Sequence, residues 1–491
     1  MSGKWFDEIR DSNGNVREHY RQIYDCWQSI KKAERKRLHD KSARHLSGDY
    51  AVDPLPRVII QSEYRMLQRG VEQRAQAILA FLHDYSSGGR RWKKIIPTDT
   101  LDAIIDRHHT TNVLDRLNPK TIAFPYGPDI IRSMSGRWCV LEDSAGYLGG
   151  MGDLQAGHEV MLRLVPGYGR VLHSPGESKP FNDPRDFFER LARHFQSKAR
   201  KKNGVAALYL QAFEHEPDHE TRRLAVIFES LGISVVAQES SQHRLEIVDS
   251  GIFLRSGRKK ERIGYLVLRS GPEHMDRRSP SSILTIDASK IGPEFDSRIL
   301  CVAKWLSNTT PLENTLLKNR ALTNFSPGVQ FLNDKAFGLF VDSLVEFYLK
   351  EVPVLESIPA RLMAYRNRCD EWVLDRTCLR DIVRRRDHYV IKRVDEDGGS
   401  GVWIGHKQTQ ESLRRLLDKI RTEPEKYIIQ KYEHLSVLEN RIVDLRIHAH
   451  VDQDEIIVSN TPWGRANWLN NNGKVNIGSN GFTSPVVVMR K

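Results

Sequence analysis

Residues 387–405 contain the sequence feature that most constrains the fold of this chain. Residues 389–391 (YVI) and 402–404 (VWI) are rich in β-branched and aromatic side chains, which predicts two short β-strands. Residues 395–401 (DEDGGSG) lie between them, and glycines there allow positive φ and a close approach of the backbone to a ligand. Lys392 ends the first strand, where its ammonium group can meet phosphates under the loop. An ordinary surface hairpin also fits this stretch when it is taken alone.

Length and composition are those of a soluble globular protein. At 491 residues the chain is long enough for two or three domains. It contains no apolar run of the roughly 18 residues that a membrane span needs, and its N-terminus lacks the core of a signal peptide. The 5 cysteines form no CxxC pair, which argues against a disulfide framework or structural zinc. Free cysteines suit a reducing compartment, so we expect a cytoplasmic protein.

The net charge of +12 comes from 75 basic and 63 acidic residues. Such a balance is compatible with nucleic acid, with nucleotides and with acidic small substrates. Basic clusters such as residues 31–37 alternate with acids, as on a solvated helix face. Nucleic acid is not expected as a partner, because the sequence has no basic and aromatic stripe and no recognisable nucleic-acid-binding fold. The absence of GxxxxGK[ST] excludes a classical P-loop ATPase.

The spacing of apolar residues predicts where helices and strands lie. Helical spacing indicates helices over residues 15–47, 62–85 and 335–350. Between about 185 and 310, strand and helix patterns alternate, which is typical of a small α/β layer domain. The segment from about 387 to 491 is mostly strands, interrupted by one helix near residues 410–421.

Two carboxylates form a candidate metal site. Asp129 and Glu142 lie thirteen residues apart on neighbouring strands of an inferred antiparallel hairpin, so their side chains can face the same side. Hard oxygen ligands on rigid strands suit Mg²⁺, which is bound by one or two carboxylates together with substrate phosphates. Two exposed strand carboxylates without a ligand are the alternative.

A second set of polar residues lies near the C-terminus. Asp444 and Arg446 point to the same face of a predicted strand, by the two-residue period of strands. Arg446 and Arg465 can grip phosphate or carboxylate groups in planar, bidentate fashion. Asn476 lies in the glycine- and asparagine-rich stretch 470–481, which is equally compatible with a plain polar loop.

Together these motifs resemble the ATP-grasp superfamily of carboxylate–amine ligases. Residues 333–335 (NDK) are similar to the motif that opens the small, nucleotide-clamping subdomain. The hairpin around Lys392 resembles the phosphate-covering strand and glycine loop, and residues 428–432 (IIQKY) resemble the hinge strand that hydrogen-bonds adenine. The resemblance implies that ATP is bound by Lys335, Lys392, Gly398, Gly399, Ser400, Gly401, Gln430, Lys431 and Tyr432.

The metal motif of the superfamily has a counterpart that departs from the family pattern. Asp129 and residues 142–144 (EDS) resemble the metal-binding Asp and the Glu-x-Asn motif. The resemblance implies Mg²⁺ ligands at Asp129, Glu142 and Ser144. Ser144 replaces the usual asparagine, and this puts the second metal site in question. Asp143 should point to the opposite face of the strand.

The arginine strands of the superfamily also have counterparts here. Residues 444–446 (DLR) and Arg465 resemble them, which implies catalytic roles for Arg446 and Arg465. Arg269 is a candidate to bind a substrate carboxylate, with a plain surface arginine as the alternative, and we expect Asn476 to contact substrate. This branch often carries a lysine after the late glycine stretch, but residues 481–485 (GFTSP) supply none.

The metal motif precedes the arginine strands here, whereas the usual order is the reverse. That order resembles the circularly permuted branch of the superfamily, and permutation is tolerated where termini lie close together. The expected fold is therefore a multi-subdomain α/β (α+β) protein: a circularly permuted ATP-grasp fold with a small pre-ATP-grasp-like α/β layer. The predicted segments are a helical segment packing on the large subdomain (1–110), the metal-binding part of that subdomain (111–184), the α/β substrate domain (185–325), the small subdomain (326–425) and the rest of the large subdomain (426–491).

The resemblance implies an ATP-dependent ligase. Such enzymes transfer the γ-phosphoryl group of ATP to a carboxylate, and an amine attacks the acylphosphate to give an amide, ADP and phosphate. ATP and Mg²⁺ are the expected cofactors, and a carboxylate and an amine of amino-acid or peptide-like character are the expected substrates. A catalytically weakened ATP-grasp fold that binds nucleotide or a partner is the alternative. The identity of both substrates and the oligomeric state, a homodimer included, stay open.

Overall fold

A computed structural model describes residues 5–42, 51–108, 110–172, 182–210, 220–237, 243–269, 311–396, 399 and 401–489. Its helices are α1 (Arg21–Ser29), α2 (Lys32–Ser42), α3 (Gln61–Ser86), α4 (Thr98–Arg107), α5 (Thr111–Leu114), α6 (Asp153–Leu164), α7 (Pro166–Leu172), α8 (Arg185–Lys201), α9 (Glu220–Ser230), α10 (Pro311–Leu317), α11 (Lys335–Gly338), α12 (Val341–Leu344), α13 (Arg376–Arg385) and α14 (Gln410–Thr422).

The first half of the chain contributes β1 (Arg57–Ile60), β2 (Ala123–Tyr126), β3 (Asp129–Arg132), β4 (Trp138–Glu142), β5 (Val205–Leu210), β6 (Ser234–Ala237), β7 (His243–Val248), β8 (Gly251–Ser256) and β9 (Lys259–Leu268). The second half contributes β10 (Leu322–Thr323), β11 (Glu356–Ser357), β12 (Ala360–Leu362), β13 (Ala364–Arg366), β14 (Trp372–Leu374), β15 (Tyr389–Arg393), β16 (Val402–Ile404), β17 (Tyr427–Lys431), β18 (Ser436–Leu438), β19 (Arg441–Arg446), β20 (Ala449–Asp452), β21 (Ile456–Val458), β22 (Trp463–Trp468), β23 (Phe482–Ser484) and β24 (Val486–Met489).

The largest sheet joins strands from both ends of the chain. Its order is β11-β4-β3-β19-β22-β23, with β18 paired to β19. Strands β3 and β19 are antiparallel neighbours, in a register that places Asp129 opposite Arg446. β1 likewise pairs with β24 in a separate parallel ribbon. Strands from the first third of the chain thus pair with strands from its C-terminal part. A permuted chain order has this result, and it confirms the expected fold class.

A second, six-stranded sheet forms the α/β layer. Its order is β6-β5-β9-β8-β7, with β10 added beside β9. β5 runs parallel to both β6 and β9, and α9 lies in the connection between β5 and β6. The amphipathic helices α8 and α9 bury phenylalanines against this sheet: Phe187, Phe188, Phe195 and Phe228.

The third sheet belongs to the part of the chain around Lys392. Strands β12-β17-β15-β16 are antiparallel throughout, and β15 and β16 form the predicted hairpin. Helices α13 and α14 cover one face, where Ile382, Leu416 and Ile420 pack against Ile391 and Ile429 of the sheet. The helix predicted at 410–421 is confirmed as α14, whose N-cap Thr409 accepts a hydrogen bond from the Ser412 N–H.

Helix α3 ties the N-terminal segment to the rest of the fold, and it confirms the helix predicted at 62–85. Its buried face includes Leu67, Val71, Ile78 and Phe81. Within the described ranges, no helix combines the length and the apolar content that a membrane crossing requires.

Two predicted helices are interrupted. The segment 15–47 was expected to be one helix, but the described part divides into α1 and α2 because Ile30 is extended, with φ −81° and ψ 130°. The segment 335–350 is two short helices followed by a π-helix, Val345–Leu349. Apolar spacing predicts which residues face the core, and short breaks preserve that spacing, so it does not detect them.

Candidate functional site

A cavity of about 560 Å³ lies where the seven-stranded sheet, the four-stranded sheet and the segment around α9 meet. Its size is typical of a site for a small molecule. Most predicted site residues line it: Asp129, Glu142, Ser144, Lys335, Lys392, Gly399, Gln430, Lys431, Tyr432, Arg446, Arg465 and Asn476. Arg269 and Gly401, both within the described ranges, lie outside the lining, and Gly398 and Ser400 fall outside the described residues.

The two candidate metal ligands occupy paired positions on β3 and β4. Asp129 is the register partner of Glu142, beside an irregularity in the pairing that lets both side chains face the cavity. Asp129 accepts contacts of 2.7 Å from Arg446 and 2.7 Å from Arg465. Burial opposes ionisation of Asp129, but the two guanidinium groups prevail and hold its pKa well below the usual range.

Arg465 is held on its other side by Asp444. The pair is bidentate, with contacts of 3.0 and 2.6 Å, and it lies across β19 and β22, whose register places the two residues opposite each other. Burial raises the pKa of Asp444, although Arg465 acts to lower it. The rigid pairing fixes the Nη2 atom of Arg465, which contacts both Asp444 and Asp129.

Glu142 lies between two lysines. Its carboxylate is 3.2 Å from the Lys335 ammonium and 3.5 Å from the Lys392 ammonium. Burial favours the neutral acid, but both lysines oppose it, and the pKa of Glu142 is lowered. Burial also lowers the pKa of Lys392, against the raising effect of Glu142. Two carboxylates, Asp129 and Glu142, are therefore surrounded by four cationic side chains. These belong to Lys335, Lys392, Arg446 and Arg465.

The side chains of Asp143 and Ser144, which follow Glu142, point in different directions. Ser144 faces the cavity. Asp143 turns away from it and pairs with the fully buried Arg74 of α3 through contacts of 2.9 and 2.6 Å. This confirms the expected opposite orientation of Asp143. It also shows that α3 fixes the end of the strand that carries Glu142.

The part of the cavity next to β17 combines one amide with apolar walls. Gln430 donates to the backbone oxygen of Leu141 at 3.1 Å, while its own side-chain oxygen has no hydrogen-bond partner among the described residues. Val390, Ile404 and Leu435 form apolar surfaces around it. An unpaired acceptor between apolar walls suits a flat heterocycle that carries an N–H donor.

The glycine loop meets a facing loop of the large sheet. Gly399 has φ +82°, and a Cβ atom there would lie 2.8 Å from the Ser479 hydroxyl and 3.0 Å from the Asn476 amide oxygen. Lys474 donates to the Gly399 carbonyl at 2.7 Å and lines the cavity. Residues 481–485 supply no lysine at the position that the family pattern predicts, whereas Lys474 lies seven residues before Gly481. The sequence signal was a lysine inside the stretch 470–481.

Residues of the α9 side were missed in the sequence analysis. Gly150 has φ +92°, and a Cβ atom there would lie 2.0 Å from the Trp463 ring, so this position requires glycine. The Gly150 N–H donates to Glu220, the first residue of α9, and Glu220 also pairs with Arg269. Arg269 is buried behind Glu220, over the ring of Tyr147. Glu220 had no motif that marked it.

His448 supports the same segment from behind. Its Nε2 donates to the Gly149 carbonyl at 3.1 Å, and burial lowers its pKa to about 3. The imidazole is therefore neutral at physiological pH. Its role is to orient the backbone of Gly149 and not to supply charge.

A cluster of His194, His450 and Asp452 lies between α8 and β20, and its ligand atoms fall within 4.8 Å of one another. The ammonium of Lys198 is 3.1 Å from the same Asp452 oxygen that both imidazoles approach. A cation of the chain already occupies the position that a metal ion would take. We therefore interpret the cluster as an ion-pair network that fastens α8 to β20.

Comparison with known proteins identifies the fold family. The family model for circularly permuted ATP-grasp type 2 proteins matches residues 56–285 and 309–465. The chain belongs to this family. The resemblance inferred from the motifs is confirmed, and membership supports an ATP-dependent ligase. ATP-grasp enzymes as a class use ATP and Mg²⁺.

Relatives of this circularly permuted ATP-grasp protein span its length at low identity. An uncharacterized protein of Synechocystis sp. is 23% identical, over 93% of this chain and 91% of its own. A protein of Frankia casuarinae, provisionally named glutamate–cysteine ligase 2-2, is 25% identical over 92% of this chain. The present chain spans only 50% of that relative, so the activity in its name belongs to a longer protein.

One solved structure is similar over nearly the whole chain. A glutathione synthetase-like effector from Globodera pallida in its apo form aligns with a TM-score of 0.52, covering 93% of this chain and 96% of the effector. Sequence identity is 9%, so the similarity concerns the fold alone.

Proposed function

We propose that this protein is an ATP-dependent carboxylate–amine ligase that forms an amide through an acylphosphate and releases ADP and phosphate. The observation that carries the proposal is the convergence of Asp129, Glu142, Lys335, Lys392, Arg446 and Arg465 on one cavity. These side chains come from segments that are far apart in the sequence. Phosphoryl transfer needs positioning and charge neutralisation more than a covalent nucleophile, and this set supplies both.

The nucleotide would lie along the four-stranded sheet, which forms one wall of the cavity. Gln430, Lys431 and Tyr432 follow the apolar surface around Val390, where an adenine ring fits. Lys335 and Lys392 would then hold phosphates, in exchange for their contacts with Glu142. Gly399 and Lys474 are in contact with each other at the cavity lining. This contact would limit the access of water to a reactive acylphosphate.

The carboxylates fit a magnesium ion. Asp129 and Glu142 are hard oxygen ligands on paired strand positions, and Ser144 adds a hydroxyl on the same side. Both carboxyl groups have depressed pKa values, so they are ionised at neutral pH, as metal ligation requires. Bound Mg²⁺ would supply charge neutralisation for the phosphates.

The arginines are suited to the acyl end of the reaction. Arg446 lies between Asp129 and the Gly149 carbonyl, and Arg465 lies between Asp129 and Asp444. Their fixed positions would stabilise the negative charge that develops on the transferring phosphoryl group and on the tetrahedral adduct. Amino-acid or peptide-like substrates fit the polar walls, with Asn476 as a contact and with Arg269 reaching the cavity through Glu220. The five-segment division and the cytoplasmic location remain predictions.

A nucleotide-binding module without turnover is the second candidate, and Ser144 is the observation that favours it. A hydroxyl is a weaker Mg²⁺ ligand than the amide oxygen of the family asparagine. Lys474 weakens this alternative, because it returns a lysine to the cavity that the motif pattern seemed to lack.

The proposal is tested by trapping the acylphosphate. Purified protein is incubated with Mg–ATP, hydroxylamine and pools of amino acids and small carboxylic acids, and hydroxamate and ADP are measured. We expect one acid to yield hydroxamate, and we expect Lys392→Ala and Glu142→Ala to lower the rate at least about 100-fold. Lys419→Ala, an exposed lysine of α14, is the matched control and should keep the wild-type rate.

Two results would contradict the ligase proposal. Tight ATP binding with no hydroxamate from any pool favours the nucleotide-binding module. Failure to bind ATP at all refutes the assignment of the cavity to a nucleotide.

A further inference from the structure

The cavity has a carboxylate that the phosphoryl-transfer machinery does not use. Glu220 lines the cavity from the N-terminus of α9, and its side chain is 11% exposed. One carboxylate oxygen accepts the Gly150 N–H, and the other accepts from Arg269. The carboxylate is therefore fixed in direction, and it remains at the cavity surface instead of being sealed in the core.

Other carboxylates of the described cavity lining are engaged elsewhere. Asp444 is bound in bidentate fashion by Arg465, and Asp153 is 1% exposed and paired with Arg223. Glu433 lies beside Lys431 at the end of β17, on the adenine side. Glu396 pairs with Arg393 at the base of the glycine loop. Asp153 lies next to Glu220 in the lining, but Glu220 is the more exposed of the two, at 11% against 1%.

Glu220 is also linked to Arg446, one of the two arginines that would hold the acyl group. Arg446 approaches the carbonyl of Gly149 at 3.5 Å, and the next peptide N–H along the chain is the one that Glu220 accepts. The peptide between Gly149 and Gly150 is therefore bound by Arg446 at its carbonyl and by Glu220 at its N–H. Gly150 packs directly on Trp463, which keeps this peptide in place.

We propose that Glu220 is a further catalytic residue, which binds the ammonium group of the amine substrate and removes the proton that blocks its attack on the acyl carbon. The inference rests on the proposed ligase function and names a base for its second step. An amine that is protonated at neutral pH has no free electron pair, so the second step needs a proton acceptor that the first step does not need.

The surroundings of Glu220 suit a base. Burial raises the pKa of Glu220 to about 7, and Arg269 opposes this rise. Asp153 raises the pKa further, while the Gly150 N–H and Arg223 lower it. A carboxyl group with this pKa exists partly as carboxylate at neutral pH and can accept a proton there.

Forming the amide removes two protons from the ammonium nitrogen. The ammonium nitrogen gives one proton to Glu220 and then forms the C–N bond with the acyl carbon. The tetrahedral adduct expels phosphate, which leaves with the electron pair of the broken C–O bond. The second nitrogen proton goes to the departing phosphate, and Glu220 returns its proton to water.

Hydroxylamine separates the two steps, because it is a free base at neutral pH and attacks an acylphosphate without help. The acid that yields hydroxamate is supplied with Mg–ATP and either hydroxylamine or a pool of primary amines that contains the common amino acids other than proline, together with common diamines. We expect Glu220→Gln to lower amide formation about 100-fold or more. Hydroxamate formation should stay close to the wild-type rate. Glu229→Gln, an exposed glutamate of the same helix, should change neither rate.

A pH profile adds a readout that a merely structural role would not move. Amide formation by the wild type should show an inflection near neutral pH that hydroxamate formation lacks. If Glu220→Gln does not fold, Glu220→Asp replaces it and should lose more amide formation than hydroxamate formation.

Several results would overturn the inference while leaving the ligase intact. One is an equal loss of both products in Glu220→Gln, and another is no loss of either. A third is a wild type that forms hydroxamate but ligates no primary amine of the pool. Absence of hydroxamate in the wild type would instead refute the ligase proposal itself.

Discussion

Glu142→Gln is predicted to change ATP binding in opposite directions with and without magnesium. In the ligand-free site the carboxylate of Glu142 accepts contacts from Lys335 and Lys392, at 3.2 and 3.5 Å. If those lysines hold phosphates, Glu142 competes with ATP when no metal is present. If Glu142 is also a metal ligand, the same carboxylate favours ATP once Mg²⁺ is bound.

The size of the effect follows from the geometry. A phosphate oxygen gripped by the same ammonium groups would lie on the order of 6 Å from the carboxylate, since each contact spans about 3 Å. At an effective dielectric constant between about 20 and about 80, two unit charges at that separation repel by about 0.7 to 2.8 kcal/mol. A middle value of about 1.4 kcal/mol corresponds to a tenfold change in Kd. Metal-free ATP should therefore bind about tenfold more tightly to Glu142→Gln.

Titration calorimetry with ATP in EDTA and again in excess Mg²⁺ measures both effects. We expect Glu142→Gln to bind more tightly than the wild type in EDTA, to gain little from Mg²⁺ and to form no hydroxamate. Glu356→Gln is the matched control, because Glu356 lies on β11 beside β4, is 53% exposed and pairs with Arg137. Weaker binding in EDTA, or an unchanged response to Mg²⁺, would refute the assignment of Glu142.

Three further perturbations test other parts of the fold and the site. Arg74→Met should lower the free energy of unfolding by about 3 to 5 kcal/mol because the buried Asp143 keeps the Tyr126 hydroxyl but loses its guanidinium partner, and adding Asp143→Asn should recover part of the loss in denaturant titrations. Burial lowers the pKa of His158 to about 4, so the unfolded state takes up the proton first as pH falls below about 6.5. The wild type should then lose about 3 kcal/mol of stability between about pH 6.5 and pH 4 from this group, and a smaller pH dependence in His158→Leu is the expected difference. Gly150→Ala should lower amide formation about 100-fold with ATP affinity unchanged, since its Cβ atom would lie 2.0 Å from the Trp463 ring, and a wild-type rate would contradict this.

The sequence predicted the sheets better than the interruptions of the helices. The hairpin of β15 and β16 follows from β-branched runs on either side of a glycine turn, and Gly399 and Gly401 do have positive φ. Strand alternation depends on local sequence, so it was predictable. The break at Ile30 and the π-helix after Leu344 leave the apolar spacing intact, and only tertiary packing selects them.

The site was predictable where a motif carried it. Asp129, Glu142, Lys392 and Arg446 were expected from their motifs, and the structure brings them to one cavity. Glu220 belongs to no motif, because its position depends on where α9 begins and on the peptide of Gly149 and Gly150. Three-dimensional proximity of that kind leaves no local trace in a single sequence. Arg269 was predicted as a direct substrate contact, and the structure places it behind Glu220.

The permuted order leaves the chemistry intact because sheet register fixes this site, and chain order does not. Asp129 and Arg446 are 317 residues apart along the chain, yet they are partners on adjacent strands and in direct contact. Glu142 and Asp129 are register partners as well, so four of the charged groups depend only on the pairing of β4, β3, β19 and β22. Chain breaks or insertions are compatible with this arrangement wherever they leave that pairing in place. The turn between β3 and β4, where Met134 and Ser135 are exposed, is such a position.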